Sequence, residues 1–420
     1  MEVTTLALLL GQIASILVVS RLLSVVMKWL GQPLVIAEML AGIALGPSLL
    51  GWLWPAAYGA LFPPPTLGGL KMLSELGLVL FMFLVGLELD PALLRGRRRA
   101  SLLISNVGIV LPFALGLGLA WAIYDTHAPP GVAFTPFSLF LGTAMSVTAF
   151  PVLARILAER GLTQSRVGAI ALACAAVDDV SAWCLLAFVV AIARAGALSD
   201  ALLTVGLSAA FTLLLLLVVR PMLRRWSDSL SRRGGLGSSQ LVSVFVGVLL
   251  CAGITEVIGI HALFGAFLLG VVMPKDGSLA RELTHKLESI AVLLLVPLFF
   301  AYSGLRTQIG LVSSGDEWLI TLGVIFLATL GKFGGGAIAA RLSGVSSREA
   351  SAIGVLMNTR GLMELIVLNV GMDLGVITPT VFTMLVIMAL VTTFATTPVL
   401  RAIYSPAADA AERPARPASI

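Results

Sequence analysis

An all-α polytopic membrane protein of about 13 transmembrane helices, with inverted structural repeats and two discontinuous crossing helices, is the fold class that the sequence predicts. Three observations predict it. The 420 residues are 58% hydrophobic and only 12% charged, with a mean hydropathy of +1.03, and no soluble globular domain is built this way. Apolar runs of roughly 20 residues, long enough to cross a bilayer as a helix, recur nearly end to end. Segments of the first half also reappear in the second half, in the same order and seven spans further on.

Spans are predicted over residues 4–27, 33–54, 69–89, 101–124, 136–158, 166–193, 200–220, 238–258, 260–274, 287–305, 317–341, 349–371 and 377–402. The first follows Met1-Glu2-Val3-Thr4-Thr5, which has no basic n-region, so it is expected to be retained rather than cleaved. Spans two and nine share a motif, Leu40-Ala41-Gly42-Ile43-Ala44-Leu45-Gly46-Pro47 and Phe264-Gly265-Ala266-Phe267-Leu268-Leu269-Gly270. Spans three and ten pair through Leu80-Phe81 with Gly86-Leu87-Glu88, and Leu298-Phe299 with Gly304-Leu305-Arg306. Spans five and twelve pair through Gly142, Met145 and Ser146, and Gly354, Met357 and Asn358. Each match alone is weak, because Gly and Leu are common in membrane helices. Together they indicate a duplicated unit, and an odd displacement forces its copies into opposite orientations, the inverted-repeat architecture of secondary transporters. Residues after Ala402 are Pro/Ala-rich and are expected to be a short disordered tail.

The formal net charge of +5 is not a sign of nucleic-acid affinity, because the charges sort by membrane side. Of the 27 Lys and Arg, Lys71, Arg194 and Arg306 fall at one set of span ends, Lys332 and Arg360 fall inside spans, and all the others gather at the opposite set. The positive-inside rule then puts the N-terminus outside and the C-terminus in the cytoplasm, with a bacterial inner membrane as the expected location. Cys174, Cys184 and Cys251 lie in apolar segments without metal-ligand spacing and read as small core residues. The sequence offers no metal cluster, nucleophile–base grouping or cofactor motif, so an integral-membrane enzyme is disfavoured and no cofactor is expected.

Span six carries Asp178 and Asp179 side by side near its middle. A charge there costs roughly 2.5–3.5 kcal/mol on insertion scales. Adjacent acids also repel, and such a pair suits a site that holds either a proton or a small cation. They stand about 100° apart around a helix, so they are not expected to share one partner. Spans five and twelve are the most interrupted, at Ser146-Val147-Thr148-Ala149-Phe150-Pro151 and at Asn358-Thr359-Arg360-Gly361. Pro151 is expected to remove an amide donor and free a carbonyl one turn back. Unwound backbone at membrane depth is tolerated only where it is buried in protein or lines a cavity, so two breaks at matching places predict a midplane binding site.

Around those breaks, Ser146, Thr148, Asn358 and Thr359 are candidates either to give neutral oxygens to a dehydrated sodium or potassium ion or to satisfy the breaks themselves. Lys332 stands in an apolar span, where a buried lysine calls for a buried acid. Arg360 and Glu364 lie one turn apart, and the simpler role is mutual pairing with neutralisation of the half-helix ends; direct ligation by Glu364 is the alternative. Gly331-Lys332-Phe333-Gly334-Gly335-Gly336 lacks the spacing of a phosphate loop and is better explained by close helix packing. Glu38, Glu75 and His261 are further polar residues for which helix contacts or a cap are the plainer roles.

The chain resembles the monovalent cation:proton antiporter-2 family, which includes Kef-type potassium efflux systems, plant cation/H⁺ exchangers and bacterial sodium/proton antiporters. The residues that carry the resemblance are Val35-Ile36-Ala37-Glu38-Met39-Leu40-Ala41-Gly42, His261-Ala262-Leu263-Phe264-Gly265-Ala266-Phe267, Pro297-Leu298-Phe299-Phe300, Val177-Asp178-Asp179 and Asn358-Thr359-Arg360-Gly361-Leu362-Met363-Glu364-Leu365. It spans roughly residues 1–402. The resemblance implies a homodimer whose dimerisation bundle comprises residues 1–99 and 238–316. An ion-carrying core would comprise 100–194 and 317–402, joined to it by a connecting segment at 195–237, with the tail at 403–420. It implies Asp179 as principal cation and proton ligand and Asp178 as partner of Lys332 when no cation is bound. Lys332 then has two roles open to it, a part in coupling or a fixed structural ion pair.

The expected activity is exchange of Na⁺ or K⁺ for protons by alternating access. Two alternatives from other classes are weighed against it. A gated cation or proton channel needs embedded charge but not the inverted repeat with two broken helices. A sodium-coupled organic-solute symporter needs a wide polar or aromatic cavity, and none is legible.

Overall fold

The computed structural model describes residues 5–88, 98–163, 165–194, 198–231, 237–275 and 278–404. The expected tail therefore lies outside the described residues from 405 onward. Among the described residues every regular element is helical, and 12 segments are long and apolar enough to cross a membrane. A shorter apolar helix, Ala262–Val272, stands where the ninth span is predicted.

The order begins α1 (Thr5–Trp29), α2 (Leu34–Leu45), the short α3 (Leu50–Leu53) and α4 (Pro55–Leu61), and α5 (Pro64–Glu88). Next come α6 (Arg98–His127), α7 (Phe134–Ser146), α8 (Phe150–Glu159) and α9 (Arg166–Arg194). Helices α10 (Leu198–Leu214) and α11 (Arg220–Ser231) are continuous through a π-helical turn, Leu215–Val219. There follow α12 (Ser238–Ile258), α13 (Ala262–Val272), α14 (Ser278–Ile290) and α15 (Val296–Leu305). The last group is α16 (Gly315–Thr329), α17 (Gly335–Leu342), α18 (Ser347–Met357), α19 (Leu362–Asp373) and α20 (Pro379–Ile403).

Local chemistry sets several of these boundaries. Ser314 with Glu317, and Ser346 with Glu349, form capping boxes that start α16 and α18, each satisfying amides the helix itself leaves open. Gly259, at φ 101, closes α12 in the left-handed region, where a side chain is disfavoured. Pro151 corrects an expectation. It lies in the first turn of α8, after the extended residues Val147 and Ala149, where a missing amide N–H costs nothing. The interruption precedes the proline, which begins the second half-helix instead of kinking a continuous one.

The repeat proposed from sequence reappears in the packing. A Cβ on Gly142 would lie 3.1 Å from the Phe113 carbonyl oxygen, and one on Gly354 would lie 2.6 Å from that of Phe333. Each broken helix thus uses a matching glycine to press against a phenylalanine in the span before it. A Cβ on Gly86 of α5 would meet the Phe267 carbonyl of α13 at 2.2 Å, while on Gly304 of α15 it would meet that of Met39 of α2 at 2.4 Å. The third span of one copy therefore packs on the second span of the other, in both directions. Burial follows the same plan: 94% of the apolar window of 347–373 is buried, against 11% for 202–227.

Cys174 and Cys251 are buried as expected, but Cys184 is exposed. The correction has a simple cause: Cys184 lies five residues beyond Asp179, on the opposite side of α9 from the packed carboxylates, on its exposed face.

Candidate functional site

α9 brings Asp178 and Asp179 to the place where the two interrupted helices cross. The crossing is held by direct bonds. The Ala149 amide of the first break donates to the Thr359 carbonyl of the second at 3.1 Å. The Thr148 hydroxyl lies 2.9 Å from the Met357 carbonyl. Arg360, fully buried, sends its guanidinium back across the first break, donating to the Ala144 carbonyl at 2.9 Å and the Met145 carbonyl at 2.6 Å. These are C-terminal carbonyls of α7, so a positive charge sits where the half-helix dipole is negative. Arg360 also pairs with Glu364 at 2.7 Å. The second carboxylate oxygen of Glu364 has no hydrogen-bond partner.

The two adjacent aspartates differ sharply. Asp178 accepts from three donors: Ser105 of α6 on Oδ1, and Thr148 at 2.8 Å and Lys332 at 2.9 Å on Oδ2. Lys332 and Asp178 form an ion pair with both side chains fully buried, the setting in which such a pair needs further hydrogen bonds to offset its desolvation. Lys332 sits in a π-helical turn, Leu330–Gly334, a distortion frequent at functional sites. Gly331 of that turn lies against Pro112 of α6, with no room for a Cβ between them.

Asp179 is equally buried, yet neither of its carboxylate oxygens makes a hydrogen bond. The Phe150 amide at the start of α8 is directed toward it, outside hydrogen-bonding geometry. Buried polar groups are nearly always paired, and one that is not is notable. At the second break, the Thr359 hydroxyl and the Asn358 side-chain oxygen are also buried without partners. The amide of Asn358 reaches Thr329 at 3.5 Å. Its side chain borders a cavity of about 290 Å³ that Thr329, Phe333 and Val355 also line. Ser146 donates to the Thr143 carbonyl of its own helix at 2.9 Å.

The candidate ion-site residues thus lie on α9, at Lys332 and on the two breaks, with Pro151 present only as a helix start. Sequence reasoning missed Ser105 and Thr393. Thr393 bonds both backbone groups of Arg360. A small hydroxyl residue in an apolar helix carries no signal until its neighbour across the fold is known.

Glu38, Glu75 and His261 lie elsewhere. Glu38 is buried on α2, within electrostatic reach of Arg155 of α8. Glu75 borders a second cavity, of about 380 Å³, with Lys71, Arg194, Glu256, His261 and Asp373. There, Asp373 of α19 pairs with Lys71 of α5 at 3.0 Å and with Arg306 at 2.8 Å. Arg194 of α9 pairs with Glu256 of α12 at 3.3 Å. His261, which caps α13, is the one non-glycine residue with positive φ among those described, at 89°. Among the described residues no group of three or more His, Cys, Asp and Glu is placed to hold a metal ion.

Comparison with known proteins agrees with this architecture. Residues 13–403 match the family described as "Sodium/hydrogen exchanger, transmembrane". The Na(+)/H(+) antiporter NhaS4 of Synechocystis sp. is 44% identical over 96% of this chain and 99% of its own length. Cation/H(+) antiporter 17 of Arabidopsis thaliana is 43% identical over 96% of this chain and 49% of its own. K(+)/H(+) antiporter 1 of Saccharomyces cerevisiae is 34% identical over 95% of this chain and 46% of its own. The chain therefore spans nearly all of the first relative and about half of the other two. The sodium proton antiporter MjNhaP1 of Methanocaldococcus jannaschii has the same fold, with a TM-score of 0.63 at 15% identity, covering 95% of this chain and 97% of that one. With a family match over almost its whole length, this chain belongs to the sodium/hydrogen exchanger family.

Proposed function

We propose that this protein is a secondary active transporter that exchanges Na⁺ or K⁺ for protons by alternating access. The observation that carries the reading is the contrast between the aspartates: Asp178 is saturated with donors, and Asp179, one residue away, is buried without a hydrogen bond. An acid in that condition is neutralised either by a proton or by a bound cation, and the two occupants exclude one another. Release of one is then the condition for taking the other. Thr148, Thr359, Asn358 and Ser146 are the neutral oxygens proposed to complete the cation's shell. Lys332 stays with Asp178 and keeps a second charge from crossing the membrane unpaired. Arg360 and Glu364 brace the half-helix ends.

In this reading α6–α9 and α16–α20 form the mobile core. The bundle of α1–α5 and α12–α15 stays fixed and forms a homodimer in the lipid bilayer, and α10 and α11 connect the two. The N-terminus faces out, the C-terminus faces the cytoplasm, and a bacterial inner membrane is the proposed location. The cavity edged by Lys71, Glu75 and Asp373 then opens outward. The pairs from Lys71 and Arg306 to Asp373 join bundle to core and must part when the core moves.

Reconstituted protein in vesicles with an imposed pH gradient tests the reading. Added Na⁺ or K⁺ dissipates the gradient saturably and without channel-like conductance. A gradient indifferent to both cations, or ohmic currents, would sink it.

A further inference from the structure

α20 runs beside the second break, and its threonines do not behave alike. Thr392 donates to carbonyls of its own helix, Met388 at 2.8 Å and Ala389 at 3.2 Å, and Thr396 donates to that of Thr392 at 3.0 Å. Thr393 turns outward. Its Oγ1 accepts from the Arg360 amide at 2.9 Å and donates to the Arg360 carbonyl at 2.9 Å. One hydroxyl thus answers both backbone groups of a residue that has left the helix, at a depth where each group needs a partner from the protein. Thr393 is itself buried.

The geometry extends from there. The Arg360 side chain holds the carbonyls of Ala144 and Met145, and the preceding carbonyl, that of Thr359, accepts from Ala149. A continuous helix therefore grips the one turn on which both half-helix ends depend. We propose that Thr393 is a positioning residue for the ion site, fixing the unwound turn so that Thr359 and the first break stand in one arrangement around Asp179. The proposal rests on the exchange reading above. Removing the hydroxyl strips the Arg360 amide and carbonyl of partners, and the turn rewinds or shifts to recover them. Several oxygens around one cation feel such a shift, whereas a proton on a single oxygen does not.

Proteoliposomes carrying wild type, Thr393→Val and Thr393→Ser, titrated with NaCl and KCl under an imposed pH gradient, provide the test. Valine keeps the shape and lacks the hydroxyl; it raises the cation KM by roughly 10-fold or more, the usual effect of losing an outer partner of an ion ligand. Maximal rate falls far less, and the ratio of the Na⁺ and K⁺ constants changes. Serine restores wild-type constants, and Thr392→Val, whose hydroxyl bonds only its own helix, matches wild type. Thr393→Val with wild-type KM overturns the proposal, as does a loss of maximal rate that serine does not recover. Hydrogen exchange in the unmutated protein checks it without a variant: the Arg360 amide exchanges as slowly as a helix interior, and loop-like exchange there is fatal. Vesicles in which wild type itself fails to move protons refute the exchange reading; wild-type activity with an indifferent Thr393→Val refutes only this inference.

Discussion

Asp178 and Asp179 are chemically the same residue in the same helix, and their neighbours alone make them different. A helix turns about 100° per residue, so Asp178 bonds Ser105, Thr148 and Lys332 while Asp179 bonds none of them. The expected consequence is that Asp179→Asn abolishes cation-driven proton movement in vesicles while the protein still inserts and elutes as a folded species. Retained exchange would refute the assignment. Lys332→Gln has a different signature. It leaves Asp178 as a buried charge without its cation, a change worth roughly 3–5 kcal/mol in comparable buried pairs. Thermal unfolding in detergent should show a marked fall in Tm, with much of it regained when Asp178→Asn is added. A Tm unmoved by Lys332→Gln would show that the pair contributes nothing to stability.

At the level of elements, the two interrupted helices are one structure. The half-helix ends draw on each other: the Ala149 amide on the Thr359 carbonyl, and the Arg360 guanidinium on the Ala144 and Met145 carbonyls. Arg360 is the strongest of these links, because a guanidinium serves several acceptors in one plane. Arg360→Ala should therefore lower folded yield and Tm more than loss of an exposed arginine such as Arg348, by several kcal/mol if unfolding is reversible, since it leaves Glu364 buried and charged. Equal effects of the two substitutions would contradict this account. Glu364→Gln added to Arg360→Ala should relieve part of the loss.

Across the whole molecule, the proposed fixed bundle meets the proposed mobile core through α5, α13 and α15 on one side and α9 and α19 on the other. Trp183 of α9 stacks on Phe267 of α13, and ionic contacts cluster at the end that holds Lys71 and Asp373. Stacked rings and partly exposed ion pairs can part and re-form at far lower cost than interlocked glycines. Relative movement of these groups has a direct test. With Cys184→Ser as background, Lys71→Cys and Asp373→Cys joined by a short, reducible bifunctional thiol reagent should arrest exchange, and reduction should restore it. Exchange that continues in the cross-linked protein would mean that α5 and α19 keep their relation throughout the cycle.

Much of this was legible in the chain itself. Hydropathy sets the spans, because backbone in a bilayer must bond internally and helices of that length are what remain. The sidedness of Lys and Arg, the repeated Gly motifs, the paired breaks and the buried acids all lie in local sequence. The resemblance to cation:proton antiporters rests on those same motifs. Other features depended on partners distant in the chain. Ser105 and Thr393 acquire meaning only from the carboxylate and the unwound turn opposite them. Pro151 proved to be a helix start because the chain was already extended before it, and Cys184 turned to the surface because α9 buries its other face. Length and polarity are read along one strand of residues, whereas donors and acceptors are matched across space. That matching leaves Asp179, and not Asp178, without a hydrogen bond.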